Sequence, residues 1–307
     1  MKCCVIGGSG HIGQFLVRML LDDGHHVTII TSGKTPIPHT GRWSEVTAVR
    51  YTYARGDPHW AQVLQQNPAD IVIDILGTDV PATYSAVRGA ARQLIVCGSL
   101  WMLGEPRVVP TPEETQSECP FPGYAVRYEE LRETRRRAAS EGFPFAAIMP
   151  PNIAGPGKVP LECLGGRSIE VHRAHQRGEA VPLPEPGQTL IGPCDAEDVA
   201  RGFFLAAKRP DQMADEVFNV GSLYALTARQ LVEVYSSIYG TQIPIEWASW
   251  HHYSTVISPD LGANFHFKAH MCPDITKIRS KLGYEPRYTP EEALERGVDW
   301  MKREHLL

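Results

Sequence analysis

The feature that most constrains the fold is a glycine-rich turn near the N-terminus, Gly7-Gly8-Ser9-Gly10-His11-Ile12-Gly13. An apolar run at residues 3–6 precedes it and an amphipathic run at residues 14–21 follows it, which predicts a strand, a tight turn and a helix. Because glycines leave no side chain in the way, backbone amides at the start of such a helix can approach a pyrophosphate, which the helix dipole also favours. The alternative is an ordinary tight turn between a strand and a helix.

A second predicted strand at residues 26–30 favours dinucleotide binding over the ordinary turn. Further strands are predicted at residues 51–57, 70–76, 93–97 and 143–149, with helices between them. This alternation predicts an α/β fold with a Rossmann-type doubly wound parallel sheet. The cofactor contacts that we assign within the turn are Gly7, Ser9, Gly10, His11, Ile12 and Gly13.

The pattern changes after residue 157, where a stretch rich in basic residues, glycine and proline begins. We predict a dinucleotide-binding domain made of residues 1–157 and 188–222, and a smaller C-terminal substrate-binding lobe made of residues 158–187 and 223–307. In this lobe Arg167, Arg173 and Arg177 would clamp a phosphate or diphosphate of the substrate. The alternative is that these arginines are solvated helix residues.

Composition excludes several classes of function. The 307 residues carry a net charge of −5, which gives no support for nucleic-acid binding. The seven cysteines show no C-x-x-C spacing, which predicts reduced thiols in a cytoplasmic protein, and no apolar run approaches the ~20 residues of a membrane span. His172 with His175, and His266 with His270, have helical spacing but no clear third ligand, so we predict no metal site and surface or pocket histidines instead.

The second predicted strand ends at Thr31-Ser32-Gly33-Lys34, where dinucleotide-binding folds contact the adenosine ribose. A carboxylate there would bond the ribose hydroxyls and repel a 2′-phosphate, but this loop offers the hydroxyls of Thr31 and Ser32 and the charge of Lys34. We therefore favour NADP over NAD; the alternative is a polar loop without cofactor preference. Asp57, after the third predicted strand, would hydrogen-bond the adenine amino group or cap the next helix.

One further residue lies where a parallel sheet binds its ligands, beyond the carboxyl ends of the strands. Ser99 follows the fifth predicted strand, and Tyr124 begins a strongly helical stretch 25 residues later.

With these residues the chain resembles the extended short-chain dehydrogenases/reductases, the group of NAD-dependent epimerases and dehydratases, over nearly its whole length. Residues 27–36, together with Gly56-Asp57, look most like an atypical branch that includes chloroplast RNA-binding proteins. The motifs that carry the resemblance are the glycine turn, Gly56-Asp57, Gly98-Ser99, Gly104, Tyr124, Pro150-Pro151-Asn152-Ile153-Ala154-Gly155-Pro156-Gly157, residues 195–199, Asn219-Val220-Gly221 and Leu282-Gly283-Tyr284-Glu285-Pro286.

The resemblance implies that Ser99 holds a substrate hydroxyl and that Tyr124 removes its proton while a hydride passes to the nicotinamide. In the family a lysine four residues after the tyrosine supplies a positive charge, but here Tyr128 occupies that position. A free tyrosine has a pKa of about 10, and a second phenol supplies no charge that would lower it. A rival alignment takes Tyr128 as the base and Arg132 as its cation.

Three interpretations of the missing lysine stay open: Tyr124 acts with weaker activation, another group takes the proton, or redox chemistry is lost. The candidates for another group are Cys97, Asp79, Cys119 and Cys194. Leu100-Trp101-Met102 would form an apolar wall of the pocket or part of the core. The cofactor contacts that the resemblance implies outside the turn are Leu76, Gly77, Pro150, Asn152 and Ile153.

We predict an NAD(P)-dependent oxidoreductase, epimerase or dehydratase that acts on a secondary alcohol of a sugar, nucleotide sugar or nucleoside-like molecule. The alternative is a redox-inactive regulatory or scaffold protein that still binds the nucleotide. RNA binding is a third hypothesis, which the acidic net charge disfavours. We expect a small-molecule partner, no nucleic acid, no membrane, and a homodimer through the helices at residues 84–92 and 124–140.

Overall fold

The computed structural model describes residues 1–39 and 41–307, and its centre is a seven-stranded parallel sheet. The strands of the structure are β1 (Lys2–Ile6), β2 (His26–Thr31), β3 (Thr47–Arg50), β4 (Ile71–Asp74), β5 (Gln93–Cys97), β6 (Phe145–Met149), β7 (Asn152–Ala154), β8 (Val181–Pro184), β9 (Leu190–Ile191), β10 (Pro193–Asp195), β11 (Glu216–Asn219), β12 (Leu226–Thr227) and β13 (Ile245–Ala248). The order in the central sheet is β11-β6-β5-β4-β1-β2-β3. This order reverses between β1 and β4, so the two halves of the sheet are wound in opposite directions, as the alternation of strands and helices predicts.

Helices cover both faces of this sheet and build most of the C-terminal part. They are α1 (Gly13–Asp22), α2 (Trp60–Gln66), α3 (Val80–Val87), α4 (Pro122–Ser140), α5 (Ile169–Gln176), α6 (Ala196–Ala207), α7 (Ala228–Tyr239), α8 (Trp250–His252), α9 (Leu261–Lys268), α10 (Thr276–Leu282) and α11 (Pro290–Arg303). A short 3₁₀ helix, Leu100–Leu103, follows β5. No helix among the described residues is both long and apolar enough to cross a membrane.

The core lies on the two faces of the sheet, because successive side chains of each strand point to opposite sides. In β1, Cys3 and Val5 pack into the cluster beneath α1 and α6, whereas Cys4 and Ile6 pack into the cluster beneath α2, α3 and α4. Burial on both faces explains the continuous apolar runs of these strands. All seven cysteines have free thiols.

The third strand is displaced from its predicted position: β3 is Thr47–Arg50, and residues 51–57 form no strand. The alternating aromatic run looks like a strand, but its side chains are used for packing. The Tyr53 ring stacks on Trp60 at 3.9 Å between centroids, and its hydroxyl bonds the side chain of Thr83. Sheet pairing therefore ends at Arg50, which lies opposite Thr31 of β2.

A third apolar cluster joins residues from the C-terminal half, centred on α7 and α11 and on the short pairs β8–β13 and β9–β12. From the same half, α10 instead packs Ile278 and Leu282 against the sheet cluster beneath α1 and α6. The division of the chain into two domains at the predicted boundaries stays a prediction.

The expectation of surface or pocket histidines is wrong for His172 and His175, which are fully buried on α5. The His172 ring bonds the hydroxyl of Tyr239 and the carbonyl oxygen of Pro160, and His175 accepts the backbone N–H of Cys163. Burial lowers the pKa of both imidazoles to about 4. Within residues 1–39 and 41–307, no three His, Cys, Asp or Glu side chains are grouped to hold a metal ion.

Candidate functional site

The glycine turn between β1 and α1 has the geometry that an anion requires. Gly7 has a φ of +85°, and a Cβ on Gly13 would lie 2.4 Å from the carbonyl oxygen of Gly7, so neither position accepts a side chain without strain. The first residues of α1 receive no side-chain cap. The N-terminus of α1 therefore presents backbone N–H groups and the positive end of the helix dipole to a ligand.

The turn is tied to the segment that follows β6. His11 contacts the carbonyl oxygen of Gly155 through Nε2 at 3.2 Å, and the Gln14 amide donates to the carbonyl oxygen of Pro156 at 3.1 Å. Burial lowers the pKa of His11 to about 3, so its ring is neutral. These contacts bring residues 150–157 to the same side of the sheet as the turn.

A cavity of about 590 Å³ opens where these segments meet, at the carboxyl ends of β1, β4, β5 and β6. Its lining joins the cofactor turn to both members of the predicted Ser/Tyr pair. The predicted site residues that line it are Gly7, Gly10, His11, Ile12, Leu76, Ser99, Tyr124, Pro150, Asn152 and Ile153.

Ser99 and Tyr124 reach this cavity from different elements. Ser99 precedes the 3₁₀ helix, and its hydroxyl accepts the N–H of Trp101 at 3.3 Å, which leaves the hydroxyl hydrogen for a ligand. Tyr124 lies in the first turn of α4, with its ring edge-on to Phe121 at 6.0 Å. The Trp101 ring stacks on Phe121 at 4.7 Å between centroids and also lines the cavity.

Tyr128 lies outside this cavity. It is only 8% exposed in the core under α4, its hydroxyl bonds the hydroxyl of Thr115 at 2.9 Å, and the Arg132 guanidinium is 5.7 Å from its ring centroid. The structure therefore brings Ser99 together with Tyr124 and does not bring Tyr128 to either of them.

Arg127, on α4, places a cation near Tyr124. Its guanidinium donates to the carbonyl oxygens of Leu76 and Gly77 at 2.7 and 3.0 Å, and lies 5.9 Å from the Tyr124 ring centroid. The length of the side chain overcomes the angular offset along the helix. At the same strand end, buried Asp74 accepts the N–H groups of Leu76 and Gly77 at 3.0 and 2.8 Å, which fixes the backbone turn after β4.

The loop predicted to contact the adenosine ribose lies outside the cavity, with Thr31 buried and Ser32 and Lys34 exposed. The Thr31 hydroxyl is already bonded to Ser9 at 2.7 Å and accepts the N–H of Gly33, whereas the Ser32 hydroxyl accepts the N–H of Lys34 at 3.4 Å. Ser32 and Lys34 are therefore the more accessible polar groups of the loop.

The predicted capping role of Asp57 is wrong, because α2 begins at Trp60 with His59 at its N-cap and no side-chain cap. The Asp57 carboxylate instead accepts the His59 N–H and the Tyr51 hydroxyl, which stabilises the turn before the helix.

Asn152 is buried at the cavity wall, and its Nδ2 has no hydrogen-bond partner among the described residues. Buried polar groups are nearly always satisfied, so this amide is available to a ligand.

The other candidates for a proton-transferring group are held in local contacts. Asp79 caps α3, Cys194 is fully buried, and the Cys119 thiol contacts the Trp101 carbonyl oxygen. Cys97 lines the cavity, but burial raises the pKa of its thiol to about 12.

Sequence reasoning missed the charged lining residue Lys158, whereas His266 lines the cavity in agreement with its prediction as a surface or pocket histidine. His266 belongs to α9, its ring lies 4.5 Å from that of Trp101, and its Nδ1 has no partner among residues 1–39 and 41–307. Burial, with the nearby charge of Arg167, lowers the pKa of His266 to about 3. No local pattern identifies Lys158 as a lining residue, because tertiary packing alone brings it to the cavity.

Of the three arginines considered as a phosphate clamp, only Arg167 lines the cavity. It donates to the carbonyl oxygens of Val159 and Ile153 at 2.6 and 2.8 Å. Arg173 pairs with Glu170 and Arg177 with Glu179 at the surface, so both are solvated residues as the alternative held.

Comparison with known proteins agrees with this geometry. A family model described as "NAD dependent epimerase/dehydratase family" matches residues 3–221. The chain is 26% identical over 314 residues to the dTDP-6-deoxy-L-talose 4-dehydrogenase (NAD(P)(+)) of Kitasatospora kifunensis, covering 95% of this chain and 93% of that protein. It is 24% identical to the chloroplast stem-loop binding protein of 41 kDa b of Arabidopsis thaliana, covering 95% of this chain and 77% of that protein.

Among solved structures, the UDP-glucose 4-epimerase of Thermotoga maritima, determined with UDP-glucose, superposes with a TM-score of 0.76 at 20% identity. The match covers 99% of this chain and 100% of the epimerase. At this identity the superposition shows a shared fold, including the seven-stranded sheet.

Proposed function

Because the chain belongs to the NAD-dependent epimerase/dehydratase family, whose members are enzymes of the extended short-chain dehydrogenase type, we propose that it oxidises or reduces a secondary alcohol position of a sugar-containing substrate with NAD(P). One observation carries this proposal. Ser99 and Tyr124, which are far apart in sequence, line the same cavity as the glycine turn. A dinucleotide held at the turn and an alcohol held by this pair would share one cavity.

The residues present fit the cofactor. The turn accepts no side chain at Gly13, the N-terminus of α1 is uncapped, and the Asn152 amide at the cavity wall has no partner among the described residues. The turn would hold the pyrophosphate, and Asn152 and Ile153 would contact the nicotinamide half. When bound, the nicotinamide would supply the hydride acceptor or donor.

The chain's own residues handle the alcohol oxygen. Ser99 would donate its free hydroxyl hydrogen to that oxygen and orient the substrate. Tyr124 would accept the alcohol proton during oxidation and return it during reduction, as general base and general acid at the same atom. The aromatic rings of Phe121 and Trp101 would exclude water from the space beside this pair.

Two cations in the cavity lining favour an anionic sugar derivative such as a nucleotide sugar. Lys158 and Arg167 both line the cavity, and no carboxylate among the described residues pairs with either. Partial burial and the charge of Arg167 lower the pKa of Lys158, so an anion between these cations would relieve their repulsion. The neutral imidazole of His266 offers a hydrogen bond to a sugar hydroxyl.

We favour NADP over NAD because residues 31–34 contain no carboxylate that would repel a 2′-phosphate. The division into a dinucleotide-binding domain and a substrate-binding lobe accords with the arrangement, since Arg167 and His266 come from the C-terminal half.

The test is turnover of a panel of UDP- and dTDP-sugars with NADP or NAD, comparing wild type with three single variants. Tyr124→Phe should lower kcat by about 10²–10⁴-fold, the usual contribution of general acid–base catalysis. Ser99→Ala should lower kcat/KM by about ten- to a hundredfold, the worth of one or two hydrogen bonds. Tyr224→Phe, which removes an exposed hydroxyl bonded to Glu291, is the matched control and should leave turnover unchanged.

Full turnover in Tyr124→Phe would remove Tyr124 from the mechanism. If Tyr128→Phe instead abolished turnover, the rival alignment with Arg132 would be correct. Tight nucleotide binding without turnover of any panel member would favour the redox-inactive regulatory protein.

A further inference from the structure

Arg50 lies beside the loop that would contact the adenosine ribose. It is the last residue of β3 and lies opposite Thr31, the last residue of β2, in the parallel register. In dinucleotide-binding folds the end of this second strand contacts the ribose, and a nearby arginine accommodates a 2′-phosphate. The displaced position of β3 is what brings Arg50 to this point.

The Arg50 side chain runs along the loop rather than away from it. A Cβ built on Gly33 would lie 3.3 Å from Nη1 of Arg50 and 3.6 Å from its Cζ. Gly33 also has a φ of +78°, a conformation that residues with side chains rarely adopt. Gly33 therefore leaves room for the guanidinium over the loop, next to Ser32 and Lys34.

The charge of Arg50 is available. Neither Arg50 nor Lys34 forms an ion pair with a residue in the part of the chain that the structure describes. By contrast, Arg42 pairs with Glu45 and Arg55 pairs with Glu130. Two cations without carboxylate partners at one loop make a site for a doubly charged anion.

We propose that Arg50, assisted by Lys34, binds the 2′-phosphate of NADP(H) and thereby sets the cofactor preference. The inference rests on the proposed function, since it needs the pyrophosphate at the glycine turn. The planar guanidinium can donate two parallel hydrogen bonds to a phosphate, whereas Lys34 adds a point charge and Ser32 a hydroxyl. Thr31 contributes little, because its hydroxyl is bonded to Ser9 and Gly33.

The experiment measures equilibrium binding of NADPH, NADH, adenosine 2′,5′-bisphosphate and AMP to purified wild type and to Arg50→Gln, by calorimetry. Arg50→Gln should weaken NADPH and the bisphosphate by about ten- to a hundredfold, the worth of charge-assisted hydrogen bonds, and change NADH and AMP by less than about twofold. Arg50→Lys keeps the charge but loses the bidentate hydrogen bonding, so its loss of NADPH affinity should lie between those of wild type and Arg50→Gln.

Arg92→Gln is the matched control, with the same charge change. Arg92 immediately precedes β5, at the amino ends of the strands, and pairs loosely with Asp70 at 3.6 Å. It should bind all four probes as wild type does. Because Arg50 is exposed, thermal unfolding midpoints should agree among the variants.

Two results would overturn the inference while leaving the proposed function in place: wild type binding NADH as tightly as NADPH, or Arg50→Gln weakening both dinucleotides equally. Failure of wild type to bind either dinucleotide would overturn the proposed function and the inference together.

Discussion

Replacing Gly13 by alanine is a direct perturbation of the nucleotide-binding turn. The added Cβ would lie 2.4 Å from the carbonyl oxygen of Gly7 and 2.5 Å from that of Gly8, closer than real Cβ atoms approach any neighbour. Both neighbours are backbone atoms, so no side-chain rotation relieves the clash. The turn or the start of α1 must move by about half an ångström or more, as overpacked sites do.

The structure sets the size of two effects. Overpacking of this kind costs about 1–3 kcal/mol, which lowers the thermal midpoint by on the order of 2–10 °C in a chain of this length. The same shift misplaces the amides that face the pyrophosphate, and losing one charge-assisted hydrogen bond weakens binding by about ten- to a hundredfold. Differential scanning calorimetry measures the first effect, and calorimetric titration with NADPH measures the second.

Gly89→Ala is the matched control, because a Cβ on Gly89 meets no atom within 4 Å and Gly89 lies in a turn beyond α3. It should leave both the midpoint and NADPH binding close to those of wild type. Wild-type affinity of Gly13→Ala for NADPH would show that the tight turn has no part in holding the nucleotide.

Three further outcomes follow from the site and the core. Burial lowers the pKa of His172 to about 4 from about 6.5 in the unfolded chain, so the folded state binds fewer protons than the unfolded state. The free energy of unfolding should therefore fall by up to about 3 kcal/mol as pH falls from 6.5 towards 4. In urea titrations the free energy of unfolding of His172→Gln should depend less steeply on pH, and an unchanged dependence would contradict this. Arg167→Gln should raise KM for a nucleotide sugar about tenfold while Arg173→Gln does not, and equal effects would remove Arg167 from the anion site. His266→Phe keeps an aromatic ring but loses the imidazole nitrogens, so KM for the sugar substrate should rise with NADPH affinity unchanged, whereas weaker NADPH binding would assign His266 to the cofactor.

The glycine turn and the parallel sheet could be predicted because their signals are local. Spacing of glycines fixes the turn, and uninterrupted apolar runs such as that of β1 mark strands buried on both faces. Ser99 could be placed at the carboxyl edge of the sheet for the same reason, because it follows a clearly predicted strand. The resemblance to the family added Tyr124, which begins a strongly helical stretch.

The position of β3 could not be predicted, because alternation alone does not show what a side chain packs against. Tyr53 lies in a strand-like pattern, yet Trp60 and Thr83 draw it beneath the helices. Because the strand was predicted at residues 51–57, the sequence did not indicate that Arg50 lies opposite Thr31. The proposed contact of Arg50 with the cofactor depends on this register.

Contacts between distant segments could not be predicted either. The sequence indicated a surface or pocket position for His266 but not that α9 packs against this cavity, and the burial of His172 involves Tyr239, which lies 67 residues away. A sequence pattern shows the periodicity of one segment, whereas the burial and the hydrogen-bond partners of a side chain depend on a second segment that packs against it.

A crystal structure of the protein with NADPH would show directly where the dinucleotide binds. We expect the pyrophosphate against the backbone of Gly7–Gly13 and the nicotinamide in the cavity beside Ser99 and Tyr124. A dinucleotide bound away from the turn, or a nicotinamide outside that cavity, would show that the cofactor site lies elsewhere.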